Sequence, residues 1–110
     1  MIVSKKKNYV LIKPTQNSVN LFFTEFEKFY PKLEGEHIII DFSEKFNTTI
    51  EELLLFLELN NQHRNNGTSF VLVCNGIDID KIPDEIHIIS TFTEALDILE
   101  MDAIERDLGF

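Results

Sequence analysis

The sequence predicts an α/β fold, a small mixed and largely parallel sheet of about four strands packed with three helices. Residues 37–42 and 70–74 are nearly continuous apolar runs, as is typical of strands that are covered on both faces. Amphipathic segments separate these runs, and a strand, a helix and a strand in succession favour parallel strands joined by right-handed crossovers. With 110 residues and 44% apolar composition, the chain is expected to form a single domain, residues 1–110.

An amphipathic helix follows the first predicted strand. Residues 9–12 form a short apolar run, and Asn17 or Ser18 can cap the helix that comes next. The apolar residues of this helix recur at helical spacing, and the helix ends before Gly35. They are Val19, Phe22, Phe23, Phe26, Phe29, Tyr30 and Leu33.

The second helix is expected to begin at Thr48 or Thr49 and to end at residues 65–67, Asn-Asn-Gly. Its start contains two overlapping capping boxes, because Glu51 follows Thr48 by three residues and Glu52 follows Thr49 by three. The remaining elements are a strand at 70–74, a strand at 86–89, and a third helix that opens with a capping box formed by Thr91 and Glu94.

The core is predicted to be rich in phenylalanine, since the chain has ten phenylalanines and no tryptophan. The strand runs are continuous and the helix stripes face them, so residues of both are expected to be buried in one cluster. This cluster should include Phe26, Ile39, Leu54, Leu57 and Val71.

The formal charge of −9 is concentrated near the C-terminus. Residues 1–77 contain nine acids and eight bases, whereas residues 78–110 contain ten acids and two bases, Lys81 and Arg106. An acidic surface repels phosphate backbones, and residues 5–7, Lys-Lys-Lys, are a short cluster of the kind that protects a strand edge. We therefore expect a protein partner with a basic face and no nucleic acid.

Neither a membrane segment nor a secretion signal is evident. The longest apolar runs, residues 53–57 and 70–74, are far shorter than the roughly 20 residues of a membrane helix. The N-terminal lysines are not followed by the apolar region of a signal peptide. The single cysteine, Cys74, agrees with a reducing compartment. We expect a cytoplasmic protein that does not bind a membrane.

The loop that leads into the second helix is the candidate functional site. Its residues are Asp41 at the strand end, then Asn47, Thr48, Thr49, Ile50 and Glu51. Free backbone N–H groups and the helix dipole can hold an anion or a phosphate there. The simpler alternative is that Thr48 and Thr49 only cap the helix, which is worth about 1 kcal/mol. Asp41 could be a ligand or a base, although an acid at a strand end more often accepts from loop amides.

No catalytic or metal-binding pattern is recognisable. His37, His63 and His87 lack the H-x-H or H-E-x-x-H spacing of metal sites, and the chain has no glycine-rich phosphate loop and no G-x-S-x-G elbow. Cys74 is expected to be a buried, inert thiol. We expect no enzymatic activity, no metal and no cofactor.

Five segments succeed one another in an informative order. They are Ile38-Ile39-Ile40-Asp41-Phe42, Phe46-Asn47-Thr48-Thr49-Ile50, Leu53-Leu54-Leu55, Gly67-Thr68-Ser69-Phe70-Val71-Leu72-Val73, and Ile88-Ile89-Ser90-Thr91-Phe92-Thr93-Glu94-Ala95-Leu96. In this order they resemble a STAS domain, the fold of bacterial anti-sigma factor antagonists. The family pattern has a motif of the Asp-Ser-Ser-Gly type opening a helix and a closing Thr-x-x-Glu-Ala-Leu helix. The resemblance covers most of the chain.

The resemblance implies a non-catalytic interaction module in anti-sigma factor or related bacterial signalling. In the family an anti-sigma kinase phosphorylates the first serine of the motif, and Thr48 stands at that position, exposed or capping the helix. Asn47 replaces the acidic residue and Ile50 replaces the glycine, which removes a charge and adds a β-branched side chain near the partner. Thr48 is thus a candidate phosphosite in a degenerate phosphoswitch, with an anti-sigma factor kinase-like protein as partner. The alternative function is a sensor that binds a small anion or nucleotide at the second helix N-terminus.

The C-terminal segment, residues 101–110, interleaves apolar and acidic side chains. Its apolar residues include Ala103, Ile104, Leu108 and Phe110. This is more apolar surface than a free tail needs, so the segment either packs on the domain or docks onto another protein. The simpler alternative is that the last helix continues and then frays.

Overall fold

A five-stranded mixed sheet lies at the centre of the computed structural model, which describes residues 1–45 and 47–109. The strands are β1 (Ile2–Lys5), β2 (Val10–Lys13), β3 (Ile38–Asp41), β4 (Phe70–Val73) and β5 (His87–Ile89). They lie side by side in chain order, β1 antiparallel to β2 and all later neighbours parallel. The predicted α/β class and largely parallel sheet are confirmed, but the sheet has five strands rather than four.

The additional strand is β1, which forms a hairpin with β2. The backbone N–H of Lys6 donates to the carbonyl of Tyr9 at 2.8 Å and closes the turn. Ile2 and Val3 are largely exposed, because β1 is the outermost strand and pairs on one side only. This four-residue edge strand has no long apolar run, which is why the sequence pattern did not reveal it.

The structure contains four α-helices where three were predicted. They are α1 (Val19–Phe29), α2 (Ile50–Leu54), α3 (Leu57–Asn65) and α4 (Phe92–Asp107), with short 3₁₀ turns at Tyr30–Leu33 and Ile79–Lys81. Ser18 caps α1, since its hydroxyl accepts from the N–H of Leu21 at 3.1 Å. Gly67 follows α3 with a φ of 85°, a conformation that favours glycine at a helix end.

The predicted second helix is divided into α2 and α3 by a tighter turn at Leu55 and Phe56. The N–H of Leu55 donates to the carbonyl of Glu52, and the N–H of Phe56 donates to that of Leu53, both three residues back. This changes the phase of the helix, so that Leu53 and Phe56 point into the core. The predicted stripe of an uninterrupted helix placed both Leu53 and Leu54 inside, which is correct for Leu53 and wrong for Leu54.

The two faces of the sheet are covered by different helices. Successive crossovers run in one direction across the sheet, so α1, α2 and α3 pack on one face, which we call the aromatic face, and α4 packs on the other, the α4 face. The aromatic face buries Phe22, Phe26, Phe42, Phe56 and Phe70, all fully. The ring centroid of Phe56 lies 5.0 to 6.1 Å from the ring centroids of four other phenylalanines.

The core prediction is therefore wrong in two respects. Phe26 belongs to the aromatic face, whereas Ile39 and Val71 belong to the smaller cluster under α4, because successive strand residues point to opposite faces. Leu57 is only partly buried, and Leu54 is 38% exposed. One cluster was predicted where the sheet separates two.

The α-helices of the described residues are five to sixteen residues long. None of those in the described part of the chain combines the length and the apolar composition needed to cross a membrane.

Candidate functional site

The predicted site residues lie together at the carboxyl ends of β3 and β4. Asp41 ends β3, and α2 begins nine residues later at Ile50. The carboxyl ends of parallel strands are where α/β folds commonly place their binding sites. Phe46, which belongs to the quoted loop motif, lies outside the described residues.

Asp41 is held by its own turn. One oxygen, Oδ1, accepts from the backbone N–H of Ser43 at 2.9 Å and from the Ser43 hydroxyl at 2.6 Å. The side chain is buried, so these bonds replace the water that the carboxylate loses. Of the roles considered for Asp41, the geometry matches an acceptor for loop amides.

Thr48 is buried, which contradicts the prediction that its side chain is exposed or caps the helix. It is only 8% exposed and precedes the cap residue, and its hydroxyl contacts the Cys74 sulfur. The contact is possible because Cys74 directly follows β4, the strand beside β3. A kinase could reach this hydroxyl only after the loop opens. Whether Thr48 is phosphorylated stays a prediction.

Thr49 is the residue that caps α2, through one of the two predicted capping boxes. Its hydroxyl accepts from the N–H of Glu52 at 3.2 Å, and the Glu52 carboxylate accepts from the N–H of Thr49 at 2.9 Å. The carboxylate of the chain itself therefore occupies the start of this helix. Glu51 adds a second negative charge to the same turn.

The outer side of this segment is polar at its start and apolar at its end. Asn47, Thr49 and Glu51 are exposed, and Ile50 is half-buried. Leu54 and Leu55 follow, each 38% exposed. We call the exposed side chains of residues 47–55 the α2 surface. It offers hydrogen-bonding groups beside two leucines, which is the mixture that protein interfaces use.

A second polar cluster, absent from the sequence predictions, joins α4 to the amino end of β4. The hydroxyl of Ser69 donates to Oδ2 of Asp102 at 2.7 Å, and Arg64 donates to the same oxygen at 3.4 Å. Both Ser69 and Asp102 are buried. A signal was present in the sequence, because Asp102 falls at helical spacing with Ala95 and Leu99, on the inner side of α4.

The histidines near this cluster are uncharged at neutral pH. The backbone N–H of Ser69 donates to Nδ1 of His37 at 2.9 Å, whereas the Ser69 hydroxyl donates to Asp102. Burial lowers the pKa of His37, and the nearby Arg106 lowers it further. Burial also lowers the pKa of His87, with Arg64 as the second cause. Within the described residues, the Ser69 hydroxyl is thus paired with the Asp102 carboxylate rather than with a histidine ring.

His63 is a core residue of the aromatic face. Its Nε2 donates to the carbonyl of Glu36, and its Nδ1 accepts from the Tyr30 hydroxyl at 2.9 Å. Burial lowers the pKa of His63, which keeps the ring neutral. Both ring nitrogens are thus paired with protein groups.

Within residues 1–45 and 47–109, no three His, Cys, Asp or Glu side chains are grouped so as to hold a metal ion.

Similarity to known proteins adds no assignment. Neither models of known protein families nor curated proteins gave a match to this chain.

Proposed function

We propose that this chain is a non-catalytic, STAS-like protein-interaction module of the bacterial cytoplasm, acting in anti-sigma factor or related signalling. Its partner is a protein, with an anti-sigma factor kinase-like protein as the first candidate. The α2 surface is the docking site, and the loop within it is a degenerate form of the family phosphoswitch.

The observation that carries the proposal is the exposure of Leu54 and Leu55 beside the loop. A regular helix would turn Leu54 inward with Leu53, but the tighter turn before α3 brings Phe56 inward and leaves Leu54 exposed. Two leucines at the end of a short helix, near an exposed asparagine and threonine, are more apolar than a purely structural turn requires. Each leucine is 38% exposed, so its burial by a partner would contribute about 0.6–1.1 kcal/mol, roughly 38% of the value for a fully exposed leucine.

The switch part of the proposal depends on whether the loop opens at Thr48. A phosphate on its hydroxyl would end the contact with Cys74 and place about two negative charges where the side chain is now buried. Thr48→Glu should therefore weaken partner binding, while Thr48→Ala leaves it intact. Mass spectrometry of the protein from its native cells should find phosphate on Thr48. Equal binding by wild type and both variants would reduce Thr48 to a structural residue.

The alternative of an anion or nucleotide sensor draws no support from the start of α2. That helix has five residues, and the N–H groups of Thr49 and Glu52 at its start already donate to the Glu52 carboxylate and the Thr49 hydroxyl. Glu51 and Glu52 would repel an incoming phosphate.

The experiment is an affinity capture from native cell extract with three tagged proteins, quantified by mass spectrometry. They are wild type, a double variant Leu54→Ser/Leu55→Ser, and the control Leu21→Ser, which alters a 57% exposed leucine on α1. We expect a protein that wild type and the control both capture and the double variant loses. The purified partner should then bind wild type directly. Equal capture by all three proteins would contradict the proposal.

A further inference from the structure

Helix α4 carries a second apolar surface, on its outer side. Met101, Ile104 and Leu108 are 55%, 59% and 64% exposed. They stand at positions i, i+3 and i+7, so they form one stripe along the helix. Leu108 immediately follows the last helical residue and stays in helical conformation. We call these three residues the α4 stripe.

The inner side of the same helix is fully used by the fold. Ala95 packs against the sheet with Ile39, Val71 and Val73, and Asp102 accepts from Ser69. The α4 stripe is on the opposite side, and none of its three residues belongs to either core cluster. Three large exposed side chains in a row are therefore surplus to folding and point to a docking surface.

The α4 stripe is bordered by acids on both sides. Glu94 and Glu105 lie along one side and Glu100 and Asp107 along the other, while Asp97 continues the line of the stripe toward the helix start; all five are exposed. None of them takes part in a salt bridge within residues 1–45 and 47–109. The one base of α4, Arg106, donates inward to the Ser69 hydroxyl at 3.5 Å. The outer side of α4 is thus apolar along its centre and negative along its borders.

This charge pattern selects the occupant. A second copy of the chain would pair the acidic borders with themselves in a two-fold interface, and like charges repel. Nucleic acid and anionic lipid surfaces are repelled for the same reason. We propose that the α4 stripe docks an amphipathic helix of a partner protein, whose leucine-like side chains cover the stripe while flanking lysines or arginines face the acids.

This surface is distinct from the α2 surface, because α4 and α2 pack on opposite faces of the sheet. The two proposals can therefore fail separately. Serine at Leu54 and Leu55 should leave α4 docking unchanged, and serine on the α4 stripe should leave α2 docking unchanged.

The test is a titration with a synthetic peptide of leucine and lysine whose leucines recur at i, i+3, i+4 and i+7. A peptide of the same composition in scrambled order is the control for charge alone. Binding is measured by fluorescence anisotropy at moderate salt, and the site is mapped by amide chemical shifts. The variants are Met101→Ser/Ile104→Ser, the charge reversal Asp97→Lys/Glu105→Lys, and Leu54→Ser/Leu55→Ser as control.

We expect wild type and the control variant to bind the amphipathic peptide equally, with shifts confined to the outer side of α4. Both α4 variants should weaken binding about tenfold or more, because each removes apolar burial or charge attraction. All substituted positions are exposed, and circular dichroism checks that each variant folds. Equal binding of the scrambled peptide, unchanged binding by the α4 variants, or shifts elsewhere would overturn the proposal. Self-association through α4 in analytical ultracentrifugation would also overturn it, in favour of a second copy.

Discussion

The aromatic face and the α4 face of the sheet differ in how they are covered. Three helices and a network of phenylalanine rings cover the first, whereas a single helix covers the second and is tied down by the bonds of Asp102. Dense aromatic packing tolerates the loss of little volume, but a helix held by a few polar contacts can be loosened separately. We therefore expect the aromatic face to contribute most of the stability and α4 to be the less stable layer.

The largest effect is expected from Phe56, which is fully buried at the centre of the ring network. Phe56→Ala should lower the free energy of unfolding by about 3–5 kcal/mol, because it removes a large apolar side chain and leaves a cavity. Urea denaturation followed by circular dichroism measures this. The adjacent exposed residue gives the control, since Leu55→Ala should cost less than about 0.5 kcal/mol. A loss under about 1 kcal/mol at Phe56 would contradict the assignment of the main core to this face.

A smaller effect is expected from Asp102 on the α4 face. Asp102→Ala leaves the buried Ser69 hydroxyl and Arg64 without their acceptor and should cost about 1–3 kcal/mol. Asp107→Ala, on the same helix but exposed, is the control and should cost little. Hydrogen exchange should accelerate more in α4 than in α1. Equal acceleration in both helices would show that the two faces unfold together and would contradict the lower stability of α4.

The aromatic face should also lose stability as the pH falls, through His63. Burial lowers its pKa below the ordinary value of about 6.5, so the unfolded chain binds more protons below that pH. The contribution is complete above about pH 6.5 and is lost as the pH falls toward the folded pKa. His37 and His87 act in the same direction. Unfolding free energies between about pH 7.5 and 5.5 should therefore decline, and less steeply in His63→Gln, whose side chain does not titrate. An unchanged slope in that variant would remove His63 as a cause.

Much of the fold followed from the sequence because strands and caps are local signals. The apolar run before Asp41 became β3, and Thr49 with Glu52 and Thr91 with Glu94 became helix starts. The C-terminal segment continues α4 to Asp107, and Asp102 within it packs back on the domain through the Ser69 hydroxyl. Phe110, also assigned to that segment, lies outside the described residues.

The failures of prediction have a tertiary origin. Leu54 is exposed because a tighter turn shifted the helix phase to bury Phe56, and helical periodicity alone does not contain that turn. Thr48 is buried because Cys74 on the neighbouring strand contacts it, 26 residues away in sequence. Asp102 was counted as part of an acidic surface, although its spacing with Ala95 placed it inward. The position of the loop between β3 and α2 followed from the sequence, but the exposure of its residues did not.

The smallest effect on stability, and the largest on binding, is expected at the α2 surface, which lies on the well-packed aromatic face. Unfolding free energy and partner capture are therefore measured together for Leu54→Ser/Leu55→Ser. We expect a stability within about 0.5 kcal/mol of wild type and a lost partner, because both leucines are exposed and serve docking. A stability loss above about 2 kcal/mol would return Leu54 to the core, and unchanged capture would remove the α2 surface as a docking site.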